Sequence, residues 1–247
     1  MDYSHFSNVY DLFMYDQPYE TWYEIVKPYV NEDQKLLDIG AGTGNFLQCF
    51  NENITLYGLD KSEAMVQKGQ LKLPHVHWST QDMTDFQIDT QFDVITCFCD
   101  SLNYLTDIES VHQAFIQMYH HLKFDGKLIF DMHAIQKFYQ YFQNEVYVDE
   151  IEEGMYIWKA ISDEDHIVHH EMTFFIKDTD QKYVRFDEHH TQKVYFVDEI
   201  QQLLENIGFE IETIFADFDL NNTIDETSDY DMNEEIERIF FIATKSE

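Results

Sequence analysis

The chain has 247 residues, with 48 Asp and Glu against 15 Lys and Arg, a formal charge of −33. A surface this anionic repels the nucleic-acid backbone and anionic bilayers, so neutral or cationic partners are expected and direct nucleic-acid backbone binding is not. With 44% apolar and 16% aromatic residues the chain can fill the core of one large domain, and with neither a leader-like start nor an uninterrupted apolar run of about 18 residues it is expected to be soluble and cytoplasmic.

In the N-terminal segment, Tyr3, Phe6, Tyr10 and Phe13 recur at helical spacing, with Tyr15, Tyr19, Trp22 and Tyr23 close behind. Residues 1–34 are therefore expected to form a helical segment that docks on the core or serves as an aromatic lid, with Tyr10 and Tyr15 as the preferred ligand contacts. From residue 35 onward, apolar runs at 35–39, 54–59, 76–79, 92–98 and 127–132 alternate with helical patterns at 45–51, 62–71 and 108–122, the signature of a doubly wound α/β domain. Four longer runs follow, at 146–151, 155–162, 167–176 and 183–195, with a period of two. They read as antiparallel strands inserted as a cap. A helix at 197–206, a stop at Gly208 and strands at 209–215 and 238–244 return to the first pattern. The expected parts are thus 1–34, then 35–135 joined to 196–247, with 136–195 as the insertion. Cys49, Cys97 and Cys99 are odd in number and off zinc spacing, and are expected to be buried thiols.

The segment Leu36-Leu37-Asp38-Ile39-Gly40-Ala41-Gly42-Thr43-Gly44-Asn45-Phe46 is a strand, a glycine-rich turn and the start of a helix. A dinucleotide fingerprint needs its third glycine three positions after the second, where this chain has Asn45. Asp38, at the strand end, would repel a pyrophosphate but attract an ammonium and a sulfonium. The loop therefore points to S-adenosylmethionine. Asp60 ends the next strand about 20 residues after the first glycine, where a ribose acceptor belongs, although with Ser62 following it could also start a helix. After the third strand, Asp82 could accept from an adenine amino group while Met83 lies against the ring.

The strings LLDIGAGTGNF, LYGLD, QDM, FDVITCFCDSLNYL and GKLIFDM, in this order and spacing, resemble those of class I S-adenosylmethionine-dependent methyltransferases. The N-terminal YSHFSNVYDLFMYD and the DSLNYL string are similar to a bacterial branch often called YqeM-like. The resemblance implies a mostly parallel, seven-stranded Rossmann-like sheet. It implies that Asp38, Gly40, Ala41, Gly42 and Gly44 shape the methionine end of the cofactor site. Asp60, with Lys61 and Met65 beside it, would hold the ribose, and Asp82 and Met83 the adenine. Phe98, Asp100 and Asn103 would lie next to the transferred methyl. Residues 97–104 lack an Asn-Pro-Pro-Tyr type string, so methylation of the amino group of a base is not implied.

Methyl transfer from a sulfonium needs alignment and dryness, with a general base only if the nucleophile arrives protonated. Candidate bases are His133, after the fifth strand, and the cluster Glu188, His189 and His190 in the insertion. His120-His121 and His169-His170 lack a third ligand at useful spacing, and no metal is expected. A small or cationic acceptor is the leading expectation. A protein or RNA acceptor, or an assembly factor working through the acidic surface, are the alternatives, and the inserted strands could instead make an oligomer.

Overall fold

A computed structural model of the protein describes residues 17–51, 53–178, 180, 182–224 and 235–246. The central strands are β1 (Lys35–Ile39), β2 (Thr55–Asp60), β3 (His77–Thr80), β4 (Phe92–Cys97), β5 (Leu122–His133), β10 (Phe209–Ala216) and β11 (Arg238–Lys245). They form one sheet in the order β10-β11-β5-β4-β1-β2-β3. β11 runs antiparallel to both of its neighbours, and the other pairings in the sheet are parallel. The strand order reverses between β1 and β4, which pair directly through Leu36 and Val94, Leu37 and Ile95, and Asp38 and Thr96. In open α/β sheets ligands bind at such a switch point, outside the carboxyl ends of the strands.

Leu36, Leu37 and Ile39 of β1 and Ile95 and Cys97 of β4 have no exposed surface, as expected for parallel strands covered on both faces. On one face lie α1 (Tyr19–Val26) and the aromatic group Trp22, Phe46, Phe50, Phe98 and Phe240. On the other lie α3 (Ile108–His121) and α5 (Val197–Ile207), whose buried side chains Val111, Phe115, Met118, Ile200 and Leu204 pack against β4, β5 and β11. Caps decide where the helices start. The Ser62 hydroxyl accepts from the Met65 amide at the start of α2 (Glu63–Lys72), and Asp107 accepts from the Ser110 amide at the start of α3. Gly208, at φ 114°, ends α5 as expected.

The insertion is a four-stranded antiparallel sheet of β6 (Glu145–Ile151), β7 (Gly154–Ser162), β8 (Ile167–Lys177) and β9 (Tyr183–Lys193), paired in sequence order. Period-two alternation sorts its side chains. Tyr156 and Trp158 lie opposite Phe174 and Met172, and His170 lies opposite His190.

Three expectations need correction. The segment expected as a helix at 45–51 contains only one 3₁₀ turn, Leu47–Cys49, and Phe46 and Phe50 on either side of it turn into the core and meet edge-on at 5.2 Å. A helix unforeseen in the sequence, α4 (Ile135–Tyr141), joins β5 to β6, and its Ile135 and Phe138 are buried together with Phe142 at i, i+3 and i+7. Of the three thiols only Cys97 is buried. Among the described residues no helix is long and apolar enough to cross a membrane.

Candidate active site

The glycine turn lies where β1 ends. Gly40, Gly42 and Gly44 have φ of 72°, 54° and 84°, a region open to glycine at no steric cost. At Gly40 even a methyl group would collide with the Ser101 hydroxyl. The turn is pinned to β2 by the amides of Gly40 and Ala41, which donate to the Leu59 carbonyl at 2.8 and 3.0 Å. Asp60 completes the attachment: one carboxylate oxygen accepts from the Gly42 amide at 2.9 Å and the other from the Ser62 amide at 2.8 Å. Burial raises its pKa, and these two amides oppose the rise.

A cavity of about 500 Å³ opens above the turn, within the range of small-molecule sites. Gly40, Gly42, Asp60, Lys61, Met65, Asp82 and Met83 line one end. Lys61 Nζ lies 2.7 Å from Asp82, and the Thr84 amide donates to the same carboxylate. Burial works against ionisation of Asp82, but these partners outweigh it and lower the pKa. Below the turn, Asp38, Ala41, Phe98 and Cys99 edge a recess of about 30 Å³. Asp38 is 4% exposed and accepts from Thr96 Oγ1 at 2.8 Å. Desolvation pushes its pKa up to about 8, since among the described residues no basic side chain pairs with it. A buried carboxylate of this kind suits a ligand that brings its own positive charge.

The other end of the cavity is the inner face of the inserted sheet, with Tyr156, Trp158, His170, Met172, Phe174 and His190. Between the two ends stand Asp100, Tyr104, His133, Lys137, Gln192 and Arg238. Asp100 Oδ2 accepts from Gln192 Nε2 at 2.7 Å and faces His133 Nε2 at 3.4 Å, while Oδ1 accepts from Arg238 at 3.2 Å. Burial opposes ionisation of Asp100, but His133 and Arg238 hold its pKa well below the usual carboxylate range. Arg238 also donates to the fully buried Asp131 at 2.9 Å, and Trp22 Nε1 donates to the same oxygen at 2.7 Å. Burial lowers the pKa of His133, and takes those of His170 and His190 down to about 4, so all three rings are neutral near pH 7.

The structure thus gathers most of the sequence-read positions at one cavity and places others elsewhere. Gly44 is buried against Leu73 and Trp78, each 2.9 Å from where a methyl group would sit, so it serves packing. Asn103 has no exposed surface: it accepts from the His133 amide and donates to the Lys193 carbonyl, clamping β5 to β9. Phe98 packs among Trp22, Phe46 and Phe240 and reaches only the recess. On β9 the alternation turns His190 inward and leaves His189 on the exposed face, while Glu188 is buried without lining the cavity. Tyr10 and Tyr15 lie outside the described residues. Arg238, Gln192, Tyr104 and Lys137 were not among the expected site residues, and His170 was weighed only as a metal ligand. A signal existed for Arg238, a lone cation beginning an apolar strand in a chain poor in cations.

A family model described as a methyltransferase domain matches residues 36–126. A protein of Geobacillus sp. (strain WCH70) that carries a methyltransferase name is 37% identical over 99% of this chain and 100% of its own length. YqeM of Bacillus subtilis (strain 168), also named as a methyltransferase, is 33% identical over 100% of this chain and 98% of its own. The dTDP-4-amino-2,3,4,6-tetradeoxy-D-glucose N,N-dimethyltransferase of Saccharopolyspora spinosa is 31% identical over 44% of each chain. Among solved structures, an S-adenosylmethionine-dependent methyltransferase from Clostridium acetobutylicum ATCC 824 has a TM-score of 0.84 at 26% identity, over 99% of both chains. S-adenosylmethionine-bound CalS10 of Micromonospora echinaspora, an amino pentose methyltransferase, has a TM-score of 0.72 at 18% identity, over 92% of this chain and 90% of its own.

Fold, site and relatives together define a class I methyltransferase whose cofactor is S-adenosylmethionine. Within that class the chain belongs to the YqeM-like branch, as its full-length likeness to the Geobacillus and Bacillus proteins requires.

Proposed function

We infer that the protein methylates the nitrogen of a small-molecule amine. The observation that carries this reading is the single continuous cavity, with a glycine turn and carboxylates at one end and an aromatic wall from the inserted sheet at the other. The insertion then serves as an acceptor-binding cap, and residues 35–135 and 196–247 as the cofactor-binding part. The S. spinosa relative, by its name, acts on the amine of a deoxysugar nucleotide, which supports an amine acceptor.

When bound, S-adenosylmethionine supplies a methyl group on a sulfonium that is already a good leaving group. Asp38, Gly40, Ala41 and Gly42 hold the methionine end, Asp60 the ribose, and Asp82 with Met83 the adenine. The aromatic wall excludes water and aligns the acceptor, which is the main demand of an in-line displacement. Asp100, held ionised, offers the amine an acceptor for its N–H. The surrounding histidines are too weakly basic to take a proton from an ammonium, so the amine enters as the free base, a form that burial itself favours. Among the candidate bases, His190 is left as the ring that faces the acceptor, and His133 holds Asp100.

The test is to incubate the full-length protein with methyl-labelled cofactor and, separately, a panel of amino sugars and the small-molecule, protein and RNA fractions of a bacterial extract. Label in the small molecules and in at least one amino sugar, with a rate that rises with pH through the amine's own pKa, is expected. Label confined to RNA or protein overturns the reading.

A further inference from the structure

Gln192 of β9 lies where the cap meets the cofactor-binding part, and its hydrogen bonds assign every proton around it. Asp100 Oδ2, 2.7 Å from Gln192 Nε2, is an ionised acceptor, so the amide nitrogen must face it. Gln192 Oε1 then points the other way, 2.9 Å from His170 Nε2 and 3.2 Å from His133 Nε2. Trp158 Nε1, which can only donate, lies 2.9 Å from His170 Nδ1. The neutral His170 ring therefore carries its hydrogen on Nε2 and donates it to Gln192. His133 Nε2 faces two acceptors, Gln192 Oε1 and Asp100 Oδ2, so it too carries the hydrogen. Its Nδ1 is buried, with no hydrogen-bond partner among the described residues.

We propose that Gln192 is a positioning residue of the methyl-transfer site: one amide accepts the Nε2 hydrogens of both His133 and His170 and orients the Asp100 carboxylate, so the acceptor site is complete only when the cap is seated. The proposal rests on the reading of the cavity as an acceptor site. A direct path of donors and acceptors runs from the cap through Trp158, His170 and Gln192 to Asp100, then through Arg238 to Asp131 and Trp22 of α1. The side-chain amide accepts from two rings on one side and donates to the carboxylate on the other without changing charge. A carboxylate in its place would repel Asp100, and a thioether would satisfy neither side.

The charged and titratable groups that surround it come from every packed element: Asp100 after β4, Asp131 and His133 on β5, Lys137 on α4, His170 on β8, His190 on β9 and Arg238 on β11.

The experiment compares the full-length wild type with Gln192→Glu and Gln192→Met by nitrogen-15 NMR of the histidine rings, assigned through His133→Gln and His170→Gln. Binding of S-adenosylhomocysteine is measured by calorimetry, and methyl transfer to the amino-sugar panel is followed in parallel. In the wild type both rings are expected in the Nε2–H form at pH 7. Gln192→Glu should raise the titration of His170 by at least one pH unit, because a carboxylate then faces its Nε2–H. Gln192→Met should shift the Nε2 signals of both rings, which lose their shared acceptor. Both variants should keep S-adenosylhomocysteine affinity within threefold and lose at least tenfold in turnover. A wild type with either ring in the Nδ1–H form, or variants with unchanged ring signals, overturns the positioning role. Label from the wild type confined to RNA or protein instead sinks the acceptor reading, and the ring signals and melting curves still judge Gln192.

Discussion

Asp38 is a carboxylate whose place in the fold costs stability. In the unfolded chain it ionises near pH 4, and in the folded chain burial delays ionisation to about pH 8. Over that interval the native state holds the extra proton, so the stability of the free protein falls as pH rises, by up to about 1.4 kcal/mol per pH unit from this one group. A cationic ligand beside Asp38 favours the ionised form, and cofactor binding near pH 7 should therefore release a proton. Asp38→Asn keeps the acceptor for Thr96 Oγ1 and removes the titration. We expect the variant to melt higher than wild type at pH 8, with the two converging toward pH 4, and to bind S-adenosylmethionine at least tenfold more weakly. Calorimetry in two buffers of different ionisation enthalpy reads the proton release, which should vanish in the variant. A variant that melts no higher at pH 8, or that still releases the proton, would remove Asp38 from this role.

At the scale of elements, α1 shows how a helix distant in sequence becomes part of the site's foundation. Trp22 is 1% exposed, packs against Phe98 and Phe218, and donates to Asp131. Trp22→Phe keeps an aromatic ring but withdraws a donor from a buried carboxylate, a loss of about 1.5–3 kcal/mol. Urea titration should find it, with an unchanged slope; a loss below about 0.5 kcal/mol would mean that Arg238 and the Asp100 amide satisfy Asp131 without Trp22. The same helix marks where sequence patterns inform and where they stop. Aromatic spacing left docking and a lid as the alternatives for this segment, and Trp22 is buried on the core; the glycine turn, Asp60 and Asp82 were legible because each follows a strand end at a spacing the fold imposes. The side-chain partners of Asp131 were not legible, because they lie 109 residues before it and 107 after it. Helix α4 was hidden for a local reason: seven residues hold too few turns for periodicity to stand out against the strands that follow. The inward turn of His190 rather than His189 depended on register, since a one-residue shift exchanges the faces of a strand.

At the scale of the whole molecule, three parts of the chain converge on two carboxylates at the ends of β4 and β5. The cap arrives through Gln192, the C-terminal strand through Arg238, and the N-terminal helix through Trp22. Arg238 is the pivot, since its guanidinium reaches both Asp100 and Asp131 and also lies 5.3 Å from the Trp22 ring. A planar fork can hold two carboxylates in this way, whereas the point charge of a lysine cannot. Arg238→Met leaves two buried carboxylates without their cation, and removing one partner of a buried ion pair costs about 3–5 kcal/mol. One carboxyl group of the variant, with its folded pKa raised further, then keeps its proton past the pH at which the unfolded chain releases it. Its stability therefore declines as pH rises above about 4, and the gap to wild type should be widest near pH 9 and narrowest near pH 5. Adding Asp131→Asn to Arg238→Met removes one of the stranded charges and should recover a large part of the loss at pH 9 while changing little at pH 5. Denaturant titrations of the four proteins of that cycle across pH 5–9 decide the matter: a gap independent of pH, with no recovery in the double variant, would show that Arg238 acts through packing on Trp22 and not as the shared counter-charge of the site.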